Sequence, residues 1–229
     1  MFAPDDLFDL AQTAHARLFE GCAEAWEALR DLPGYVARTV RPALHHRAEG
    51  QVRIGPQVFI GEGTVVEEGA YIPGPAIIGR HCHIRHNAYI RSGVLIGDHC
   101  LVGHACELKN AVLFNHCQVP HFNYVGDSIL GHRAHLGAGA VLSNVRSLPG
   151  PIRVRDGPRS RDPGLEKFGA LVGDGAEIGC HAVLNPGSVI GRGAVLYPGV
   201  PWRGYLPPRH LAKHHPMLEV VPLTHSLTH

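Results

Sequence analysis

From residue 54 onward an aliphatic residue or phenylalanine returns at every sixth position: Ile54, Ile60, Val66, Ile72, Ile78, Ile84, Ile90, Ile96, Val102, Leu108 and Phe114. The step shortens to five at Val119, is six at Val125, five at Leu130, and six again through Leu136 and Leu142. A nonperiodic stretch follows, and Val172, Ile178, Leu184, Ile190 and Leu196 then restore the phase. The residue after the apolar one is often glycine (Gly55, Gly61, Gly79, Gly97, Gly103), and the residue two before it is small (Ala70, Ala76, Cys82, Ala88, Cys100, Cys106, Cys117). This is neither the 3.6-residue period of a helix nor the two-residue alternation of a half-buried strand. It fits a prism with three flat sides, in which each hexapeptide supplies one short strand and one corner. The aliphatic side chain points to the axis, the small one fits where the inside is crowded, and glycine or asparagine relieves the corner. Three hexads make a coil, so the periodic positions predict about seven coils of a parallel β-helix, an all-β fold.

Residues 4–46 carry no hexads. Leu7, Leu10, Ala14, Leu18, Ala23, Trp26 and Leu29 recur there at helical spacing behind Asp5 and Asp6, which predicts one or two helices packed beside or across the first coils as an end cap or trimer support. The expected organisation is a helical segment over 1–50, a β-helix over 51–202 with an inserted loop at 143–169, and a C-terminal extension over 203–229. That extension holds Pro207, Pro208 and several histidines and is expected to lie as a strand or extended arm on a neighbour.

Composition narrows the function classes. Lys plus Arg number 21 against 20 Asp plus Glu, so no global field favours nucleic acid or a membrane surface, and any anion site must be local. The N-terminus has no basic n-region, and no apolar run reaches the length of a membrane span, which predicts a cytoplasmic protein. Four of the six cysteines fall in the small slots of the repeat and read as buried apolar residues. His81-Cys82-His83 resembles a ligand cluster, but alternate residues of a strand share a face while the middle one points away, so the three cannot converge.

The repeat is perturbed where polar residues gather, at Val119-Pro120-His121-Phe122-Asn123-Tyr124-Val125-Gly126-Asp127-Ser128. With Glu107-Leu108-Lys109-Asn110 before it, and Leu136-Gly137-Ala138-Gly139-Ala140 and Ser143-Asn144-Val145-Arg146 after it, this stretch resembles the acetyltransferase half of the bifunctional enzymes that make UDP-N-acetylglucosamine. It is also similar to sugar-1-phosphate nucleotidyltransferases with the same C-terminal β-helix, and the likeness runs over about residues 78–200. The resemblance implies a left-handed β-helix, a homotrimer and acetyl-CoA as cosubstrate, with no metal required for the chemistry. It also implies His121 as the general base that deprotonates a sugar amine, a role suited to an imidazole at neutral pH. Glu107 would orient that imidazole. Arg91 and Lys109 would bind the acceptor's phosphate, and Tyr124 and Asn144 the sugar; a backbone N–H at Ala138 would face the oxyanion, and Cys180 and Tyr197 would line the CoA arm. Two positions depart from the family: His135 stands where asparagine is expected, and Gly150 where a phosphate-binding lysine is expected. Both fall on the acceptor side. Arg146, Arg153, Arg155, Arg159, Arg161 and Lys167 crowd the inserted loop against Asp156, Asp162 and Glu166, which suits an anionic ligand, with Arg153 a candidate contact.

The glycine-rich, arginine-containing loop that opens the nucleotidyltransferase half of those relatives has no counterpart in residues 1–50, so nucleotidyl transfer is not expected. The expected activity is acetyl-CoA-dependent N-acetylation of an anionic amino sugar, either a sugar phosphate or a nucleotide sugar. Two other readings stand beside it. His81, His116 and His121 approach the ligand spacing of γ-carbonic-anhydrase-type zinc lyases, although the asparagine and Gln-Asp segment of that family is replaced by Gly79-Arg80-His81-Cys82. The third is a β-helix scaffold that binds without catalysing.

Overall fold

In a computed structural model, which describes residues 2–214, each coil lays three short strands in parallel register on those of the coil before. Three faces result. Face I begins at Ala43–Leu44 and Val58–Ile60 and runs through Ala76–Ile78 and Val94–Ile96 to Ser188–Ile190 and Tyr205–Leu206. Face II carries Arg53–Ile54, Tyr71–Ile72, Tyr89–Ile90, Val141–Leu142, Val183–Leu184 and Pro201–Trp202. Face III is a ladder of nine strands, from Arg47–Glu49 through Leu101–His104, Gln118–His121 and His135–Leu136 to Leu211–Ala212. The inward positions of all three form one continuous core, including Ile60, Ile78, Ile96, Val102, Val119, Leu136, Ile178 and Leu196.

The solenoid thus has nine turns among the described residues rather than seven. The extra turns lie at the ends, where Val52, Ile54, Trp202 and Ala212 pack against the core only partly buried. A terminal coil covers its neighbour on one side alone, so its inward residues escape the strict aliphatic requirement and the period fades from the sequence. Residues 203–212 accordingly continue the ladder as Tyr205–Leu206 and Leu211–Ala212 instead of forming an arm, and 215–229 lie outside the described residues.

The small slots behave as expected: Cys82, Cys100, Cys106 and Cys117 are buried and unpaired, their thiols donating to carbonyls of the next coil, as Cys106 Sγ does to Val119 O at 3.2 Å. A neighbouring thiol and burial raise the Cys82 pKa, and burial raises those of Cys100 and Cys106, which keeps them protonated and inert. Glycine after the inward residue is a steric need. A Cβ on Gly103 would lie 1.5 Å from Pro120 O in the next coil.

Phe114 does not point inward. Ile96 pairs with Leu113, and Leu113 with Leu130, so the first five-residue step is Leu108 to Leu113. Both short steps then fall at the same corner, between faces II and I. There the chain runs on as two continuous strands, Glu107–Leu113 and Tyr124–Leu130, and the inserted loop leaves the solenoid at the same corner one coil later. Phe114 instead packs on Phe8 and Phe19, at ring-centroid distances of 5.2 and 5.7 Å.

Those aromatics belong to a second core outside the prism. On face I the residue between two inward ones is itself apolar (Ile77, Leu95, Val112, Ile129, Leu171, Val189) and would face water if nothing lay over it. The N-terminal segment covers it. In place of the one or two expected helices the segment forms Pro4–Leu7, two 3₁₀ turns at Leu10–Gln12 and Ala16–Phe19, and a helix over Glu27–Thr39 that lies across the face with Leu29, Leu32 and Val36 buried. Glu27 accepts from the Ala23 and Glu24 N–H groups at 2.8 and 3.2 Å, which ties the preceding turn to the first residue of that helix; Pro33 lies within it. Ala14, expected on the packed side, is exposed.

At the corner between faces I and III, His81, His99 and His116 occupy the same position in successive coils, each with left-handed φ near +50 to +65°. Their rings stack at centroid distances of 5.0 and 4.9 Å, and His132 meets His116 edge-on at 5.3 Å. Burial, then His99, His132 and Arg133, push the His116 pKa down. Glu67 lies on face III. Burial pushes its carboxyl up, but bonds from the His86 N–H and from His83 outweigh this and hold it low. A depressed histidine and a depressed carboxyl both favour folding most above their unfolded pKa values. Urea unfolding should therefore give a midpoint that falls as pH drops below about 6.5, the ordinary histidine value, and again below about 4.5 for Glu67. A flat midpoint between pH 8 and 4 would contradict the ladder's contribution.

Candidate active site

The two shortened corners create the most polar interior point of the chain. Where Gly74 and Gly93 turn this corner in the longer coils, Asn110 and Asp127 turn it in the shortened ones, with left-handed φ of 47° and 46°. Asp127 is thereby turned into the wall, where its side chain is 5% exposed. Its carboxylate accepts from Lys109 Nζ at 3.0 and 3.2 Å, from Asn110 Nδ2 at 2.8 Å, and from Asn144 Nδ2. Tyr124 Oη donates to Asn144 Oδ1 at 3.4 Å. Gly126 makes room for this junction, since a Cβ there would lie 2.6 Å from Tyr124 Oη and 2.8 Å from Asn144 Nδ2. Burial, then Glu107 and Asp127, raise the Tyr124 pKa, so the phenol stays protonated as a donor. One rung away, Arg91 Nη1 donates to Glu107 Oε1 at 2.8 Å, with the guanidinium 5.8 Å from the Tyr89 ring centroid.

Five of the residues singled out by sequence thus gather on face II: Arg91, Glu107, Lys109, Tyr124 and Asn144. Asp127, which ties three side chains of the corner together, was not among them. Its signal was the five-residue step itself, which marks where the chain must turn with a residue missing. Within one chain Glu107 is bound to Arg91 and makes no hydrogen bond to His121, and Lys109 is bound to Asp127. Both cations expected for a phosphate therefore start out engaged.

His121 stands at the next corner, between faces III and II. Its backbone N–H donates to Asn123 Oδ1 at 3.0 Å and its carbonyl accepts from Gly139 N at 2.9 Å. Asn123, 2% exposed, also donates to Gly137 O and Ala140 O at 2.8 and 3.2 Å, clamping this corner to the next coil from within. The imidazole is exposed and has no hydrogen-bond partner among the described residues. Ala138 and Cys180 follow His121 in successive coils of the same edge, because Leu136 pairs with Ile178 and the His181 N–H donates to Ala138 O at 2.9 Å. Tyr197 lies one coil further and is 52% exposed. Among the described residues no acceptor meets the Ala138 N–H.

Two predicted contacts fall elsewhere. His135 points from face III and bonds Glu177. Arg153 pairs with Asp162 at 3.5 Å in a loop whose Ile152 and Val154 are buried against face I, away from the Asp127 corner. Two of the loop's other cations are likewise bound within the chain, while Arg155, Arg159 and Lys167 are exposed. Arg161 binds Glu24 and lies over the Phe2 ring, and Arg146 donates to Pro151 O at 2.6 Å. The apolar face beneath is covered by this loop, and Arg161 and Arg146 brace the cover. For the zinc reading, His81 and His116 are separated by the stacked His99 ring, and His121 lies across face III from both. No group of three or more His, Cys, Asp or Glu side chains is arranged to hold a metal among the described residues.

Asp127→Ala should leave the Lys109 ammonium, 23% exposed, beside a void and without its counter-charge. We expect a loss of about 1 to 3 kcal/mol in urea unfolding, less than for a fully buried pair because the ammonium reaches water. A change below about 0.5 kcal/mol, the scale of ordinary surface substitutions, would contradict the corner's dependence on this carboxylate.

A family described as the GMPPB C-terminal domain matches residues 72–157. The chain is 32% identical over 151 residues to a bifunctional sugar-1-phosphate nucleotidylyltransferase/acetyltransferase of Sulfurisphaera tokodaii, covering 66% of this chain and 38% of that protein. It is 30% identical over 172 residues to the bifunctional protein GlmU of Methanococcus vannielii, covering 75% of this chain and 41% of that protein. With YaiX of Escherichia coli, named as an uncharacterized acetyltransferase, it shares 33% identity over 144 residues, 63% of each chain. The chain spans about two fifths of the length of the first two. No helix among the described residues is long and apolar enough to cross a membrane. Over its β-solenoid, then, the chain is related in sequence to the GlmU-type sugar-1-phosphate nucleotidylyltransferase/acetyltransferase proteins.

Proposed function

We propose that the protein is an acetyl-CoA-dependent N-acetyltransferase acting on an anionic amino sugar. The observation that carries this reading is the adjacency of two half-sites: the polar corner around Asp127 on face II, and the edge of His121, Ala138, Cys180 and Tyr197 beside it. The similarity to relatives named as acetyltransferases supports it. Acetyl-CoA would lie along the edge, where the small Ala138 and Cys180 let the pantetheine arm approach the backbone. The sugar would lie on face II between Tyr124, Asn144 and Arg91.

In this reading the sugar amine attacks the thioester carbonyl as the His121 imidazole takes its proton, and the unfilled Ala138 N–H receives the charge developing on oxygen. Collapse of the tetrahedral intermediate breaks the C–S bond, and the imidazolium returns its proton to the leaving thiolate. An acceptor phosphate would compete with Glu107 for Arg91 and with Asp127 for Lys109. Release of Glu107 from Arg91 would free it to face the imidazole. Because both half-sites lie on convex, open surfaces, a second copy must close the groove, and a homotrimer does so by repeating one interface. The six cysteines are all unpaired, which suits a cytoplasmic, reducing setting.

A thiol-release assay of acetyl-CoA with glucosamine-1-phosphate, galactosamine-1-phosphate and nucleotide amino sugars tests the activity. His121→Ala should lower kcat by a factor on the order of 100 to 10,000 with acetyl-CoA affinity nearly unchanged. Glu107→Gln should cost less, and Arg91→Ala should mainly raise the acceptor's KM. An unchanged rate in His121→Ala removes it as base, and no thiol release with any amino sugar leaves a binding scaffold. Light scattering should give the mass of three chains; a monomer in dilute buffer would contradict the shared groove.

A further inference from the structure

Face III carries an arrangement that the transferase reading does not use. His135 and Glu177 are outward residues on consecutive rungs, and Gln118 is the outward residue on the rung before them. His135 Nδ1 lies 2.7 Å from Glu177 Oε2. An ionised carboxylate only accepts, so Nδ1 carries the proton and Nε2 presents a lone pair, which is the tautomer a general base needs. The pair opens into a depression of about 610 Å³ lined also by His116, Gln118 and Arg133. Arg133 has no carboxylate partner among the described residues, in contrast to Arg91, Arg153, Arg161 and Arg192.

The other histidine–glutamate contact on this face is of a different kind. Glu67 holds His83 at 2.6 Å but also accepts from the His86 backbone N–H at 2.9 Å, so it ties a corner together. Among the described residues the Glu177 carboxylate has His135 as its one side-chain partner. Gln118 and His121 share the strand Gln118–His121, so the dyad sits one rung from the strand that bears the proposed base. His135 also replaces the asparagine that the family resemblance leads one to expect, and the replacement comes with a carboxylate placed to orient it.

We propose that this depression is a second proton-transfer site, in which Arg133 binds a phosphate or carboxylate group of a small acceptor and His135, oriented by Glu177, deprotonates that acceptor's amine or hydroxyl. The base assignment rests on the acyl-transfer reading above; the anion site does not. The acceptor's N–H or O–H proton passes to His135 Nε2, and the freed lone pair bonds the carbonyl carbon of an acyl thioester. The C–S bond then breaks, and the imidazolium returns the proton to the thiolate. The charged groups facing the imidazole are Glu177, Arg133 and, when protonated, His116. The acceptor class is a small molecule with one anionic group and one nucleophile a few bonds away.

Two measurements test it. Titration of the full chain with inorganic phosphate, followed by histidine and glutamine side-chain NMR, should shift His135 and Gln118 in the wild-type chain and not in Arg133→Gln. Absence of shifts in wild type, or equal shifts in the variant, overturns the anion site. In the thiol-release assay with those anionic amines and alcohols whose turnover survives His121→Ala, His135→Asn should lower kcat on the order of 100-fold, with partial rescue of His135→Ala by added imidazole. If no acceptor survives His121→Ala, the second base is overturned. Glu177→Gln should lower kcat about tenfold at unchanged KM, and Arg133→Gln should raise KM about tenfold. A His135→Asn chain that keeps its fold and its full rate overturns the base. If the wild-type chain transfers no acyl group at all, the acyl-transfer reading and the base assignment fall together, and the phosphate titration alone decides the anion site.

Discussion

The loss of one residue at the corner between faces II and I is the constraint on which the rest of the site depends. Coils of eighteen residues close with three similar corners, as Ile78 to Ile96 does. The coils that place Leu113 on Ile96 and Leu130 on Leu113 have seventeen, and the left-handed corner position that Gly74 and Gly93 fill in the longer coils is taken by Asn110 and Asp127. A non-glycine residue in that region is strained unless its surroundings over-determine it. Here Lys109, Asn110 and Asn144 do so, by converging on a carboxylate that the turn itself buries. Shortening, burial and polar convergence are one event seen at three levels.

The same corner releases the inserted loop, which returns through Phe168 and Gly169. Their N–H groups donate to Asn144 O and Asp127 O at 3.1 and 2.9 Å, so the insertion braces the polar corner and then crosses to face I. That face carries a second apolar layer, closed by the N-terminal helix and the loop's buried Ile152 and Val154. One side of the prism is thus covered, while faces II and III, with the corner between them that holds His121, Ala138 and Cys180, stay open to ligand or to another copy of the chain.

Much of this was legible in the sequence. The hexads located the inward residues of most coils, and the break in the period located the polar corner. The outward face was harder to read. The triplets Val94-Leu95-Ile96 and Ala170-Leu171-Val172 carry an apolar residue between two inward ones, a mark of a covered face that a search for every sixth residue passes over. For the same reason the six-residue count points to Phe114 as the inward residue where the structure has Leu113, and so puts the short step at the wrong corner. The pairing of Arg153 with Asp162 was not readable either, because sequence shows charge without partners. Glu177 could not be linked to His135 from spacing, since the inserted loop puts 42 residues between rungs that touch.

The functional account joins a sugar half-site on face II to a thioester track along the edge of His121, Ala138, Cys180 and Tyr197. The track is the more exposed to disproof, because it requires a small side chain at Cys180, which is exposed and unpaired in the chain. Calorimetric titration with CoA of the wild-type chain and of Cys180→Trp tests it most directly. The account predicts binding in the wild type and at least about a tenfold loss in the variant, with the urea midpoint unchanged. Equal affinity in the two, or no binding of CoA to the wild-type chain at millimolar concentration, would contradict it.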